Sequence, residues 1–319
     1  MVLISTDISK AIELLTAGEL VAIPTETLYG LAGNIYNEHP IRKIFETKQR
    51  PLLNPLIVHV HSVQQLENLV AEFPEKAKLL AEAFWPGPMT LLLKKKAIVP
   101  DLITAGKETV AVRIPNHPVA LKLLESIPFP LAAPSANPFN GISPTKAEHV
   151  AAYFPDSLAL VLDGGQCTNG IESTIIGFDE GEAIVFRLGG ISLEEIKAVI
   201  GEVSIKNKNE TAPNAPGMLA KHYAPKTKLF LVEDLEQAVH AHKGKKIALL
   251  RFTENTTSIP CEHEVILSSK GDLKEAAANL YLALHNLDDL SLDLILAERL
   301  PATGLGKSIN DRLERAAKE

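Results

Sequence analysis

Apolar positions along the first two-thirds of the chain alternate between a helical and a strand rhythm. Ile8 to Ala17 carries them at helical spacing, opened by Asp7 or Ser9 as a cap and closed by Gly18. Leu20 to Ile23 follows as a short apolar run, the mark of a buried strand. Ile41 to Thr47 reads as a helix with Lys48 at its tail, and Leu56 to Val60 as the next strand. Val63 to Phe84 forms two helical segments broken near Phe73-Pro74, because proline lacks an amide donor and restrains the residue before it. Strands are predicted at Met89–Leu93 and Thr109–Ile114, a helix at Pro118–Ser126, a strand ending in Leu131-Ala-Ala, and a helix from about Lys146. Leu158–Asp163 is a strand, Glu172–Phe178 and Ala183–Arg187 pair as a hairpin, and Leu193–Ile200 is a short helix.

The rhythm stops between Lys206 and Lys228, where Pro, Asn, Ala and Lys dominate, as in a linker. It is either a tether or a segment folded over the preceding domain, since Met218, Leu219, His222 and Tyr223 are able to pack. Beyond it, strands at Lys228–Val232, Lys246–Phe252, Val265–Leu267 and Leu292–Ala297 alternate with helices at Asp234–His242, Asp272–Leu290 and Lys307–Ala317. That alternation predicts a second, smaller α/β unit with a Rossmann-like, mainly parallel sheet. The organisation is thus residues 1–205, a linker at 206–228, and residues 229–319.

Composition narrows the function classes. With 46% hydrophobic and 22% charged residues in 319, the chain is an ordinary globular protein. Its net charge of −7 argues against extensive nucleic-acid binding but leaves room for a local basic pocket. Cys167 and Cys261 stand too far apart in sequence for a metal motif or a disulfide framework, which suits a reducing cytosol. The start, MVLISTDISKAIELL, has no basic n-region, and no apolar run is long enough to cross a membrane. A cytoplasmic chain without a signal peptide or membrane partner is expected.

Several stretches carry candidate chemistry. Lys48-Gln-Arg50-Pro-Leu-Leu-Asn54-Pro sets two cations on a stiff turn before a strand, either a solvated basic turn or a clamp for a polyphosphate. Pro24 to Leu31 gathers hydroxyls, a carboxylate and a phenol at a strand end, fit for a small polar ligand or for an ordinary capped turn. His59 and His61 share a strand face, but no third ligand follows nearby, so a neutral, hydrogen-bonding His59 is expected rather than a metal pair. Arg113 lies in an apolar strand and needs an anion, either a structural carboxylate or a ligand's. Leu131 to Thr145 concentrates Ser, Asn and Gly before a helix start, where small residues let a ligand approach the backbone. Pro301-Ala-Thr-Gly304-Leu-Gly306-Lys307-Ser308 nearly spells a phosphate-binding loop, with Pro301 in the place of the first glycine and no strand after it to supply a metal-binding Asp. No nucleophile–base signature appears.

PTETLYGL at 24–31, KQRPLLNPLIVHV at 48–60, PSANPFNGISPT at 134–145, ESTII at 172–176, FRLGGIS at 186–192 and APGMLAKHYAP at 215–225 resemble the YrdC-type threonylcarbamoyl-AMP synthases. The resemblance runs the length of the chain, as in the family's longer, two-domain form. It implies a YrdC-like twisted mixed sheet with helices, plus the Rossmann-like C-terminal domain. It also implies a nucleotidyltransferase that joins L-threonine, bicarbonate and ATP into threonylcarbamoyl-AMP and pyrophosphate, with Mg2+ entering alongside ATP. The product would pass to a transferase complex that makes t6A at position 37 of tRNA, with at most a weak tRNA contact by the synthase. By resemblance, Lys48 and Arg50 neutralise charge in the phosphoryl step. Arg50, Asn54, Thr109, Ser135, Ser143, Arg187 and Tyr223 face ATP, with Tyr223 making the linker a lid. Thr27, His59, Arg113, Ala133 (through its backbone) and Ser173 face threonine. Two other readings stand beside it: an RNA-binding or regulatory module on the same fold, and an NTPase working through Gly306-Lys307-Ser308.

Overall fold

The computed structural model describes residues 1–206, 215–216, 218, 222–254 and 259–318. The first domain is built on a mixed, 11-stranded sheet. Its strands in chain order are β1 (Leu3–Ser5), β2 (Val21–Ile23), β3 (Gly30–Asn34), β4 (Ile57–His59), β5 (Met89–Lys94), β6 (Thr109–Arg113), β7 (Leu131–Ala132), β8 (Leu160–Leu162), β9 (Thr174–Asp179), β10 (Glu182–Arg187) and β11 (Ser204–Ile205). Across the sheet they run β1-β8-β2-β3-β7-β4-β6-β5-β9-β10-β11. The sheet mixes parallel pairs such as β4 with β6 and antiparallel ones such as β5 with β6. The predicted hairpin is present, with Glu182 opposite Asp179.

Helices α1 (Ile8–Thr16), α2 (Glu38–Lys48), α3 (Val63–Glu67), α4 (Glu75–Phe84), α5 (Asp101–Thr104), α6 (Pro118–Glu125), α7 (Ala147–Tyr153) and α8 (Leu193–Ile200) cover the sheet. Asp7 caps α1 by accepting from Lys10 N–H, and Ser192 with Glu195 forms a full capping box on α8. The expected break inside 63–84 separates α3 from α4. One large apolar cluster packs on one sheet face around Leu31, Ile44, Val58 and Leu91, and another gathers Leu15, Ile23 and Leu124.

Strand β3 escapes sequence reading because Gly30-Leu-Ala-Gly-Asn34 has little strand propensity. Its place is set by neighbours: β2 and β7 pair on its two sides, and Leu20, Pro40 and Ile44 lie 3.2–3.3 Å from where a Cβ on Gly33 would stand. Edge strands β1 and β11 are similarly short and made by pairing with β8 and β10.

The second domain has a four-stranded, fully parallel sheet in the order β12-β15-β13-β14. Its elements are β12 (Lys228–Val232), α9 (Leu235–Ala241), β13 (Ile247–Arg251), β14 (His263–Ile266), α10 (Leu273–Asp288), β15 (Leu294–Glu298) and α11 (Gly306–Ala316). Its core is not self-contained. The cluster around Leu280, Tyr281 and Ile309 also takes in Leu28, Ile142 and Ile171 from the first domain and Tyr223 from the linker. At the seam Gly170, with φ +67°, comes so close to α10 that a Cβ would stand 2.5 Å from the Ala278 Cα. Among the described residues no helix is long and apolar enough to cross a membrane.

Candidate active site

The loop between β2 and β3 is shaped by Thr25. Its hydroxyl donates to the Leu28 carbonyl (2.7 Å) and accepts from the Thr27 and Leu28 amides (3.2 and 3.1 Å), a local turn that competes with continued strand pairing. That turn presents Thr27 to Arg113, which ends β6 beside His59 of β4. Arg113 donates from Nη1 to Thr27 Oγ1 (2.8 Å) and from Nε to the Gly87 carbonyl (3.1 Å), and its Nη2 lies 2.6 Å from Glu26 Oε1. Of the two anions the sequence allowed for a strand arginine, the structural carboxylate is therefore present. Two of the five guanidinium N–H groups donate hydrogen bonds, while Nη2 is ion-paired with Glu26 without one, so three N–H groups remain to meet a second acceptor. His59 is 3% exposed; burial first, and then the neighbouring Arg113 charge, pull its pKa down to about 3, so the ring is neutral. Among the described residues no three His, Cys, Asp or Glu side chains converge as metal ligands.

Arg50 and Arg187 line the same cavity. Arg50 follows α2, where Gln49 leaves the helix in the left-handed conformation. Its guanidinium donates to the carbonyls of Asn54 (3.3 Å) and Pro55 (2.9 Å). Arg187, at the end of β10, holds Ser173 twice, through the carbonyl and the hydroxyl (both 3.0 Å), and reaches the linker carbonyl of Pro216 (3.4 Å). Both are buried, and among the described residues neither forms an ion pair with a carboxylate. Burial and then the Arg187 charge lower the Arg50 pKa to about 9. Two desolvated guanidiniums facing the same space, neither in direct contact with a carboxylate, form a site able to take further negative charge.

The expected site residues separate into two groups. Thr27, His59, Arg113, Ala133 and Ser173 line the cavity, and so do Arg50, Ser135, Arg187 and Tyr223. Lys48, Asn54, Thr109 and Ser143 do not. Lys48 is 1% exposed and lies behind the wall, its ammonium donating to the carbonyls of Ser135 (2.5 Å) and Asn137. Asn54 is fully buried, with both amide atoms unpartnered. Thr109 starts β6 opposite Lys94, and Ser143 donates to Glu172 (2.9 Å).

Apart from Tyr223, sequence reasoning missed the residues that close the cavity. Glu172 lines it and is gripped from the second domain: Arg312 Nε lies 2.7 Å from one carboxylate oxygen and Tyr281 Oη 3.1 Å from both. Burial works to raise the Glu172 pKa, but the Arg312 and Arg187 charges outweigh it and hold the carboxyl below its usual range. Arg312 also stacks under the Tyr223 ring, 5.1 Å from its centre. Tyr223 and His222 are buried and form the roof with Pro216. The space left beneath is about 60 Å³, enough for a few waters and far below the few hundred Å³ typical of ligand pockets. The sequence points to this roof through the linker's packing potential and, by resemblance, through Tyr223 as part of a lid; it does not mark His222 or Pro216 as site residues. Residues 207–214, 217 and 219–221, including Leu219, lie outside the described residues.

The near-match to a phosphate loop has another use. The segment does lead from β15 into α11, but Lys307 Nζ pairs with Glu194 (2.6 Å) and Ser308 Oγ donates to the Gly189 carbonyl (2.9 Å). Both side chains that would hold phosphate and metal instead clip the second domain to the first, which removes the ground for an NTPase centred there.

Comparison with known proteins matches both halves. Residues 13–189 fit the Sua5/YciO/YrdC family model, described as telomere recombination, and residues 191–318 fit the threonylcarbamoyl-AMP synthase C-terminal domain. The threonylcarbamoyl-AMP synthase of Pyrococcus abyssi is 42% identical over 314 residues, covering 94% of this chain and 91% of its own length. That of Bacillus subtilis is 41% identical, covering 97% and 92%. The crystal structure of P. abyssi Sua5 complexed with L-threonine superposes with a TM-score of 0.92 at 40% identity, over 99% of this chain and 97% of that one. With both domains matched in order and near full length, the chain belongs to the two-domain Sua5 branch of the YrdC family.

Proposed function

We propose that this protein is an L-threonylcarbamoyladenylate synthase, forming threonylcarbamoyl-AMP and pyrophosphate from L-threonine, bicarbonate and ATP. The observation that carries the reading is the cavity's division of charge. Arg50 and Arg187 line the cavity without an ion-paired carboxylate among the described residues, while Arg113, Thr27 and the neutral His59 form a second, separately bonded group in it. The first pair suits a polyphosphate and the second an amino acid, whose carboxylate would take the remaining Arg113 N–H groups. The relatives' names and the threonine-bound Sua5 structure support the same assignment.

The chemistry runs in two balanced steps. The neutral amine of threonine adds to bicarbonate and releases water, giving the N-carboxylate. A carboxylate oxygen then displaces pyrophosphate from the α-phosphorus of ATP. Such a displacement asks the protein for positioning and charge neutralisation rather than a covalent partner. Arg50 and Arg187 would supply the charge, and Lys48 would act by holding the Ser135–Asn137 loop against the nucleotide. Asn54, with its unpartnered amide, Ser143 and Thr109 would join the ATP side after rearrangement. Mg2+, when bound, would offset phosphate charge. Glu172 is a cavity carboxylate already tied to Arg312, so the ion would be held by the phosphates rather than by a protein cage. The small cavity and buried Tyr223 support a linker that lifts to admit substrates and closes over a hydrolysable product. A cytoplasmic location and transfer of the product to a t6A transferase complex complete the proposal.

The test is pyrophosphate release with ATP and Mg2+, omitting threonine and then bicarbonate. Release that requires both, with a threonine-containing adenylate among the products, is expected. Release indifferent to threonine would overturn the reading, and salt-dependent RNA binding without turnover would replace it with the binding-module alternative.

A further inference from the structure

Helix α11 of the second domain touches the cavity wall from behind at three points. Ser308 Oγ donates to the Gly189 carbonyl (2.9 Å), Arg312 Nη2 to the Leu188 carbonyl (2.6 Å), and Arg312 Nε lies 2.7 Å from Glu172. These points flank two residues of this wall: Ser173 follows Glu172, and Arg187 precedes Leu188; the Ser173 hydroxyl, the group expected on the threonine side, is held separately by Thr90 Oγ1 of the first domain (2.7 Å). The two strand ends are themselves locked, since the Gly190 amide donates to the Glu172 carbonyl (2.9 Å) and a Cβ on Gly189 would stand 2.4 Å from the Ser173 carbonyl carbon. The group around Arg113 is supported differently. Among the described residues the partners of Arg113, namely Thr27, Gly87 and Glu26, all belong to the first domain.

Charge gives the arrangement its purpose. Glu172 is a buried carboxylate, and its negative charge is stabilised by Arg312 and by Arg187. With Arg312 in place, Arg187 is left to Ser173 and to the linker carbonyl of Pro216. Without it, Glu172 would keep the Ser143 and Tyr281 hydroxyls, but its remaining stabilising guanidinium would be Arg187, and a buried charge short of a cation is costly enough to draw the nearest one toward it.

We propose that Arg312 is a positioning residue for the nucleotide side of the cavity: it holds Glu172 away from Arg187, leaving Arg187 to face ATP, and seats Tyr223 above it. The second domain thus completes one half of the site and leaves the other half to the first domain. This inference rests on the proposed synthase reading for the identity of the two ligands.

The experiment uses the full chain, with threonine binding followed by calorimetry and the ATP dependence by pyrophosphate release. Arg312→Met is expected to raise the KM for ATP about tenfold or more while the threonine Kd stays within about twofold. The double variant E172Q/R312M, in which no carboxylate is left to capture Arg187, is expected to recover most of that loss. A purely structural role would weaken both ligands alike and leave the double variant no better than the single one, and either result overturns the proposal. If Arg312→Met does not fold, Ser308→Ala, which removes only the donor to Gly189, is expected to raise the ATP KM about threefold with threonine binding unchanged. No rise there overturns it. Wild-type protein that binds neither ligand defeats the synthase reading instead. The mechanical claim is then read from amide exchange at Gly189 and Gly190, which must quicken in Arg312→Met for the claim to stand.

Discussion

Replacing Lys48 with methionine separates a charge that acts on substrate from a charge that builds the wall. The Lys48 ammonium is 1% exposed and donates to the Ser135 and Asn137 carbonyls, with no carboxylate among the described residues to balance it. Burial, and then the nearby Arg50, push its pKa well below the usual lysine value. Two charge-assisted hydrogen bonds are worth about 1.5–3 kcal/mol each, a gross loss of about 3–6 kcal/mol. Part is returned because the variant no longer buries an ammonium, and methionine retains most of the apolar stem. The Ser135 carbonyl also keeps the Asn137 amide as a donor (3.1 Å). The expected net destabilisation is about 2–4 kcal/mol. Urea unfolding followed by tryptophan fluorescence measures it cleanly, because Trp85 is the chain's single tryptophan and lies between α4 and β5 of the first domain. A loss under about 1 kcal/mol, together with a collapse of turnover, would refute the wall-building role and return Lys48 to direct contact with phosphate.

Other perturbations probe the same architecture. Arg113→Lys keeps a charge but loses the fork that reaches Thr27, Glu26 and Gly87 together, so the threonine KM should rise about tenfold or more with the ATP KM little changed; equal effects on both would count against the division of the cavity. Gly170→Ala places a Cβ 2.5 Å from α10 at a positive φ, so docking of the second domain should weaken by about 3 kcal/mol and calorimetric melting should separate into two transitions; a single unshifted transition would show the seam to be compliant. His149 of α7 and His285 of α10 stack across the seam at 3.7 Å, and burial first, then the partner ring and Lys146, lower the His149 pKa to about 3. His285 is lowered too, by burial, against the opposing pull of the Ser143 carbonyl, Asp289 and Asp288. The unfolded chain therefore takes up protons near pH 6.5 that the folded seam refuses, so stability falls as pH drops from about 6.5 toward 3. Each ring adds at most ~1.4 kcal/mol per pH unit, and partial solvent screening narrows the pH range over which it does so. His149→Gln should flatten the profile, and an unaltered acid limb would assign the effect elsewhere.

Long, periodic elements were legible in the sequence because their pattern is local. α1, α4, α8 and α10, the β9–β10 hairpin and the alternating second domain all followed from spacing, caps and turn residues. The glycine-bearing β3 and the two-residue β11 were not, since their pairing partners, rather than their own side chains, make them strands.

The sequence by itself determined which residue types could hold an anion and an amino acid, since a strand arginine and hydroxyl-rich turns are local facts. It did not determine their supports. That Glu26 pairs with Arg113, that Lys48 faces loop carbonyls, and that Lys307 and Ser308 clip two domains together depend on where the backbone brings distant segments. Glu172 and Arg312 stand 140 residues apart and meet at 2.7 Å. Neither residue carries a local pattern that announces the other, because burial and pairing energies are properties of the assembled tertiary structure and not of either segment alone.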